Sequence, residues 1–286
     1  MATLGLLSRE FPSESLNSNL EAIAVTGAKA VQFDLASAVG DTFPAELSEA
    51  TLQAINRGFS DRQLILAALS GTYNMIDPDP RARAVGAEGL NRVIAWAPRL
   101  GTEVVTLCTG SRDPNSMWRR HPDNDRPAAW TDLLVQIERA VRVAEACGVT
   151  LGIEPEIGNT INTVHKARRL LDEIKSPRLK IVMDGANIFQ RGQLAQMHAV
   201  LDEAFELLGP DIVLGHAKDL DTDGEAGHVA AGRGRLDYPY YMDLMQKSGF
   251  AGSIILHALK PSEAKDRLAF VRGIAPAGYF SAAGAE

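Results

Sequence analysis

The chain has 286 residues, 45% hydrophobic and 23% charged, with a net charge of −7. That length and balance suit a single α/β barrel, and the acidic excess argues against the non-specific grip on nucleic acid or anionic membrane that basic surfaces provide. Two cysteines, Cys108 and Cys147, read as ordinary thiols with no disulfide framework. No stretch approaches the roughly 18 uninterrupted apolar residues of a membrane span, and the opening MATLGLLSREFP has no basic start or long apolar run. The expectation is a cytoplasmic protein.

In chain order, apolar β-rich runs at 4–7, 30–35, 64–69, 104–108, 150–153, 180–183, 212–214 and 253–256 predict eight strands. Helical spacing separates them. Leu16, Leu20, Ile23 and Ala24 predict a helix over 14–27, and Ala84, Leu90, Ile94 and Trp96 one over 81–99. Leu133, Leu134, Ile137, Ala140, Val141 and Ala144 give the clearest amphipathic pattern, over 128–147, closed by Gly148 as a C-cap. Further helices are expected over 162–174, 193–208 and 237–247, with Asn162 and Asp237 as N-caps. Strands alternating with helices predict a (β/α)8 TIM barrel spanning residues 1–286 as one domain. No G-x-G-x-x-G follows the first strand, which weakens a dinucleotide-binding reading. The GRGR at 232–235 is expected in a loop before a helix, and the tail AAGAE is expected to fray.

In such a barrel the chemistry sits where strands end and βα loops begin. The stretch GIEPEIGNT, 152–160, ends the fifth strand in Glu154 and Glu156. Buried carboxylates need a partner, so a metal, a substrate or solvent must meet them. The sixth strand ends in IVMDGAN with Asp184 and Asn187. The seventh runs VLGHAKDL with His216, Lys218 and Asp219, and the eighth IILHALK with His257 and Lys260. Taken singly, each is also an ordinary strand-end charge, turn residue or structural histidine. Four successive strands each delivering a metal-competent or proton-transfer group point instead to one site. Carboxylate oxygen with imidazole nitrogen suits one divalent ion, Mn, Co, Zn or Mg. Alternation puts Glu154 with Glu156 on one side, and His216 with Lys218 on one side. His165 and His198 lie in helical segments and read as surface or packing residues, and His228 lies in a Gly-rich loop where contact with a ligand is the lesser reading.

From about Leu4 to Arg272 the chain resembles the xylose isomerase-like TIM barrels of the sugar phosphate isomerase/epimerase family. IEP at 153–155, MDGAN at 183–187, GHAKD at 215–219 and AGRGRLDY at 231–238 carry the resemblance. It implies Glu154, Asp184 and His216 as ligands of one divalent metal, and often a dimer or tetramer. Two positions depart. His257 stands where the family usually has a glutamate that is both ligand and acid/base group. Asn187 stands where a histidine is common, and an amide moves no protons at neutral pH.

Two long polar loops, 70–81 and 109–124, follow the third and fourth strands. Tyr73, Trp118 and His121 are candidates to cover a sugar ring, and Asn187 to hydrogen-bond a sugar hydroxyl. Arg112, Arg119, Arg120 and Arg233 offer positive charge for a phosphate or carboxylate, or pair with Asp113, Asp123 and Asp125. The expected function is a metal-dependent isomerase or epimerase of a sugar, keto-sugar or polyol. Metal is held by Glu154, Asp184, His216 and His257; Glu154 or Glu156 removes a proton beside a carbonyl; Lys218 stabilises the enediolate; His257 is a second acid/base. A leaving group β to the carbonyl would make the same enzyme a lyase or dehydratase. A non-catalytic binding barrel is a third reading. An endonuclease IV-like phosphodiesterase is disfavoured by six histidines and the acidic charge.

Overall fold

A computed structural model describes residues 1–281; the tail AAGAE lies outside the described residues. Its strands are β1 (Thr3–Leu7), β2 (Ala30–Phe33), β3 (Ile65–Ser70), β4 (Val104–Leu107), β5 (Thr150–Ile153), β6 (Leu179–Asp184), β7 (Ile212–Asp219), β8 (Val229–Ala230) and β9 (Ser253–Leu256). All but β8 run parallel in the cyclic order β1–β2–β3–β4–β5–β6–β7–β9, with β9 returning to β1. The sheet therefore closes as a (β/α)8 barrel, with helices in the crossovers between strands. The short β8 folds back antiparallel on the end of β7, pairing Ala230 with Lys218 and Val229 with Asp219.

Strand β7 extends past 214, where its apolar run stops. His216 and Ala217 pair with Ile255 and Leu256 of β9, and β8 holds Lys218 and Asp219 in the ladder. Backbone pairing, not side-chain hydropathy, decides where a strand ends. Two substantial helices, Glu49–Ser60 and Ala264–Ile274, and the short Ala36–Val39 were not among the expected elements. The first buries only Leu52, Ile55, Gly58 and Phe59, and the second Ala264, Leu268 and Val271, so their apolar stripes are thin. The 128–147 helix runs Pro127–Cys147 and closes on Gly148 in the left-handed conformation, φ 71°. Asp237 caps Tyr238–Lys247 through the amide of Tyr240. Asn162 is not a cap. Thr163 accepts from the amide of Lys166 and starts Val164–Ile174, while Asn162 Oδ1 accepts from Lys166 Nζ.

Strand alternation builds the barrel interior in layers. Ala30, Ala68, Val182, Leu214 and Ile255 form a separate apolar plug, drawn from five strands. The next positions, two residues on in each case, are Gln32, Ser70, Asp184 and His216 on those strands and His257 just past β9. The plug thus forms a dry floor, and the polar residues stand above it at the C-terminal mouth.

Asp219 points elsewhere. Its Oδ1 accepts from the amides of Leu220 and Leu236, and its Oδ2 from those of Gly232 and Gly234. The GRGR loop is therefore wound around one buried carboxylate. Glycine is required there: Gly232 has φ +75°, and a Cβ on Gly234 would lie 2.3 Å from the Leu220 carbonyl oxygen. Asp219→Ala would orphan these donors and should cost about 3 kcal/mol of stability, measured by urea denaturation against the unchanged chain.

Candidate metal and sugar site

Register sets the first two members of the cluster side by side: Asp184 pairs with His216 across β6 and β7. Glu154 follows β5 and His257 follows β9. Glu154, Asp184, His216 and His257 each bring one donor atom into a group whose members all lie within 4.8 Å of one another. His216 Nδ1 is 3.3 Å from Glu154 Oε1 and 3.9 Å from Asp184 Oδ2, and His257 Nε2 is 3.5 Å from Asp184 Oδ2. Asp184 Oδ2, His216 Nδ1 and His257 Nε2 are buried and have no hydrogen-bond partner. Buried polar atoms are normally satisfied. Two unpartnered imidazole nitrogens facing a carboxylate oxygen whose charge is shared with Lys218 fit a divalent ion, and the cluster could hold one.

Lys218 Nζ lies 3.3 Å from Asp184 Oδ2 and 3.8 Å from Glu154 Oε1. Burial works against its ammonium, but Asp184, Glu154 and Glu156 outweigh that and raise its pKa above the ordinary lysine value. Burial likewise opposes ionisation of Glu154 and Asp184. His216 and Lys218 outweigh it at Glu154, and Lys218 and His257 do so at Asp184, so both carboxyls sit below the usual range. Burial, with the nearby Lys218 charge, pushes His257 down to about 4, which leaves its ring neutral with a lone pair to give.

Glu156 differs from Glu154. Its carboxylate accepts from the Gly158 amide and from Asn159 Nδ2 at 2.7 Å, outside the four-donor group, and burial lifts its pKa to about 7. Glu154 is held from outside the cluster: Asn187 Nδ2 donates to Oε1 at 2.7 Å and Cys108 Sγ donates to Oε2 at 3.7 Å. Asn187 Oδ1 then accepts from the Gly227 amide, tying Glu154 to the loop over the mouth.

Above the cluster is a cavity of about 500 Å³, lined by Glu154, Glu156, Asn187, His216, Lys218 and His257 together with Gln32, Asp34, Cys108 and Trp118. Its size and mixed lining are those of a small-molecule site. A second cavity of about 500 Å³ shares Trp118, Glu156 and Ala226 with it and is also lined by Arg191.

Of the residues expected to bind substrate, Trp118 and Asn187 line the inner cavity, and Tyr73, His121 and Arg233 do not. Tyr73 is buried between helices: its ring lies against Gly86 and Phe43, and its hydroxyl donates to Gln136 Oε1 at 2.9 Å. His121 caps a 3-10 turn, accepting from the Asp123 amide. Arg233 lines a shallow cavity with Glu10, His228 and Lys260. The other loop arginines pair with acids: Arg112 with Asp132, Arg119 with Asp113, Arg120 with Asp125. His165 and His198 are helical and paired with Glu203 and Asp237.

Three contributors have little sequence signal. Cys108 closes an apolar run and looks like core. Gln32 is one polar residue inside AVQF, and that interruption was the available clue. Glu10 accepts from the amides of Ala258 and Leu259 and so fixes the turn after His257, where Ala258 takes φ +59°. Nothing local in the sequence marks a contact between positions 10 and 258.

No helix among the described residues is long and apolar enough to cross a membrane. No curated protein matches the chain closely enough to count as a relative. Among solved structures, the chain is similar to the apo form of the 3-keto-D-glucoside 4-epimerase YcjR from E. coli, with a TM-score of 0.70 and 18% identity over 96% of this chain and 100% of that one. It is similar to an L-ribulose 3-epimerase, at 0.73 and 18% over 96% and 94%. It is also similar to the IOLI protein with a binding zinc atom, at 0.72 and 14% over 98% and 100%. At these identities the likeness is one of fold. The family model described as xylose isomerase-like TIM barrel matches residues 20–274, and the chain belongs to that family.

Proposed function

We propose that the protein is a divalent-metal-dependent isomerase or epimerase of a sugar, keto-sugar or polyol. The observation that carries this reading is the convergence of Asp184 Oδ2 with two unpartnered imidazole nitrogens, His216 Nδ1 and His257 Nε2, beneath a sugar-sized cavity. Family membership and the epimerases among the similar structures support the substrate class.

Glu154, Asp184, His216 and His257 would hold the ion. When bound, it supplies Lewis acidity that polarises a substrate carbonyl and acidifies the adjacent C–H. Glu154, already engaged by Asn187 and Cys108 and held ionised by His216 and Lys218, suits the ligand role more than the base role. Glu156 suits the base: it lines the cavity, lies outside the four-donor group, and titrates near neutrality. It removes the proton beside the carbonyl, and Lys218 donates a hydrogen bond to the oxygen on which charge develops in the enediolate. Glu156 returning that proton to the neighbouring carbon gives the isomer; the epimer requires protonation of the opposite face by a second donor, a role open to solvent in the cavity. The lowered pKa of His257 favours a neutral ligand over a proton donor. A substrate with a β leaving group would instead eliminate, and product analysis separates the two.

Protein purified without chelator is expected to carry about one equivalent of Mn, Co or Zn by mass spectrometry, and Asp184→Ala to lose it, a buried ligand being irreplaceable by solvent. Keto-sugars incubated in D₂O should take up deuterium at the carbon beside the carbonyl. Glu154→Gln should abolish that exchange while leaving the thermal unfolding profile intact; full activity in the variant would sink the mechanism. Glu156→Gln should keep its metal and lose about 10²–10⁴-fold in turnover, the usual worth of a general base. Equal loss of metal in both glutamine variants would remove the distinction between the two roles.

A further inference from the structure

We infer that Gln32 is a positioning residue that fixes the ring of His216 in the tautomer able to bind metal through Nδ1. The inference rests on the metal-site reading above and concerns a residue on the opposite wall of the barrel. Gln32 lies on β2, is 6% exposed, and reaches across to His216 on β7, 4% exposed. Its Oε1 lies 2.8 Å from His216 Nε2.

The neighbours of the amide set its orientation. Gln32 Nε2 donates to Thr106 Oγ1 at 3.1 Å and to Ser70 Oγ at 3.3 Å. Thr106 turns its own hydroxyl hydrogen toward the Leu69 carbonyl, which leaves a lone pair for the amide. With both amide hydrogens committed to β3 and β4, the oxygen faces His216. An amide oxygen only accepts, so His216 Nε2 must carry a hydrogen. A neutral ring with Nε2–H has its lone pair on Nδ1, the atom that stands without a hydrogen-bond partner toward Glu154 and Asp184.

The lock has work to do because the carboxylates pull the other way. Glu154 Oε1, 3.3 Å from Nδ1, would accept a hydrogen from the opposite tautomer, and in that tautomer the lone pair lies on Nε2, turned away from the cluster, with none on Nδ1 to give an ion. Gln32 offsets this pull by making Nε2–H the satisfied arrangement. Partners of this kind orient metal-binding histidines, and their loss commonly costs about 10–100-fold in metal affinity.

The test uses the full chain stripped of metal and titrated with Co²⁺ against a chromophoric chelator. Gln32→Met keeps the shape and removes the acceptor; it should weaken Co²⁺ binding by about 10–100-fold. Gln32→Glu keeps an acceptor oxygen opposite His216 Nε2 and should recover affinity. The Zn²⁺-loaded wild type should also show a hydrogen-bonded Nε2–H on His216 by long-range ¹H–¹⁵N NMR, protected from solvent exchange. Protection should be lost in Gln32→Met and kept in Gln32→Glu. Co²⁺ affinity unchanged in Gln32→Met, or lost equally in both variants, would overturn the positioning role. A wild-type ring bearing its hydrogen on Nδ1 would do the same. Wild-type protein that binds neither Co²⁺ nor Zn²⁺ would bring down the metal-site reading itself, and this inference with it.

Discussion

Two carboxylates, Glu154 and Asp184, sit at the mouth of a closed barrel, shielded from water, with one ammonium, Lys218, between them. Desolvating a charge is costly unless it is compensated, and two negative groups against one positive leave the cluster short of positive charge. The arrangement persists because each carboxylate has a second source of support. Asn187 and Cys108 hold Glu154 from outside the cluster, and the Ala186 amide donates to Asp184 Oδ1. What remains unsatisfied is turned inward, toward one point. A divalent cation is the species whose charge and coordination needs match that deficit.

The rest of the mouth serves to keep those atoms where they are. The apolar plug of Ala30, Ala68, Val182, Leu214 and Ile255 closes the barrel beneath the cluster, so the field of the charges is little screened from below. Asp219 gathers four backbone amides of the chain that follows β7 and anchors the loop leading to Tyr238–Lys247. Glu10 does the same for the turn after His257, holding Ala258 in a conformation that L-residues rarely adopt. Burial pushes the Glu10 pKa up to about 7, the sign of a carboxylate kept near the site by backbone donors and not by a cation of its own.

His257 and Asn187, the two positions where the resemblance would lead one to expect a glutamate and a histidine, have different consequences. His257 brings a donor atom to the cluster and, as a neutral ring, adds no negative charge to a site already crowded with them. Asn187, an amide that moves no protons at neutral pH, clamps Glu154 to the Gly227 amide. Together they leave Glu156 as the carboxyl that lines the cavity, stands apart from the four donors and is poised near neutrality.

Much of this was legible in the chain itself. The barrel follows from apolar runs alternating with helical periodicity, because burial of strand and helix faces is written into local spacing. The candidate ligands Glu154, Asp184, His216 and His257 could be named because in this architecture strand ends converge, and each carries its group just past an apolar run. What the sequence could not decide is which polar side chains meet. Tyr73, His121 and Arg233 sit in loops that look like a mouth, yet they pack between helices, cap a turn and line a neighbouring hollow. Gln32 meets His216 across 184 positions of chain, and Glu10 meets Ala258 across 248. Such contacts depend on barrel closure and register, which are properties of the whole sheet. Periodicity determines which face a residue occupies; only the closed sheet determines what stands opposite it.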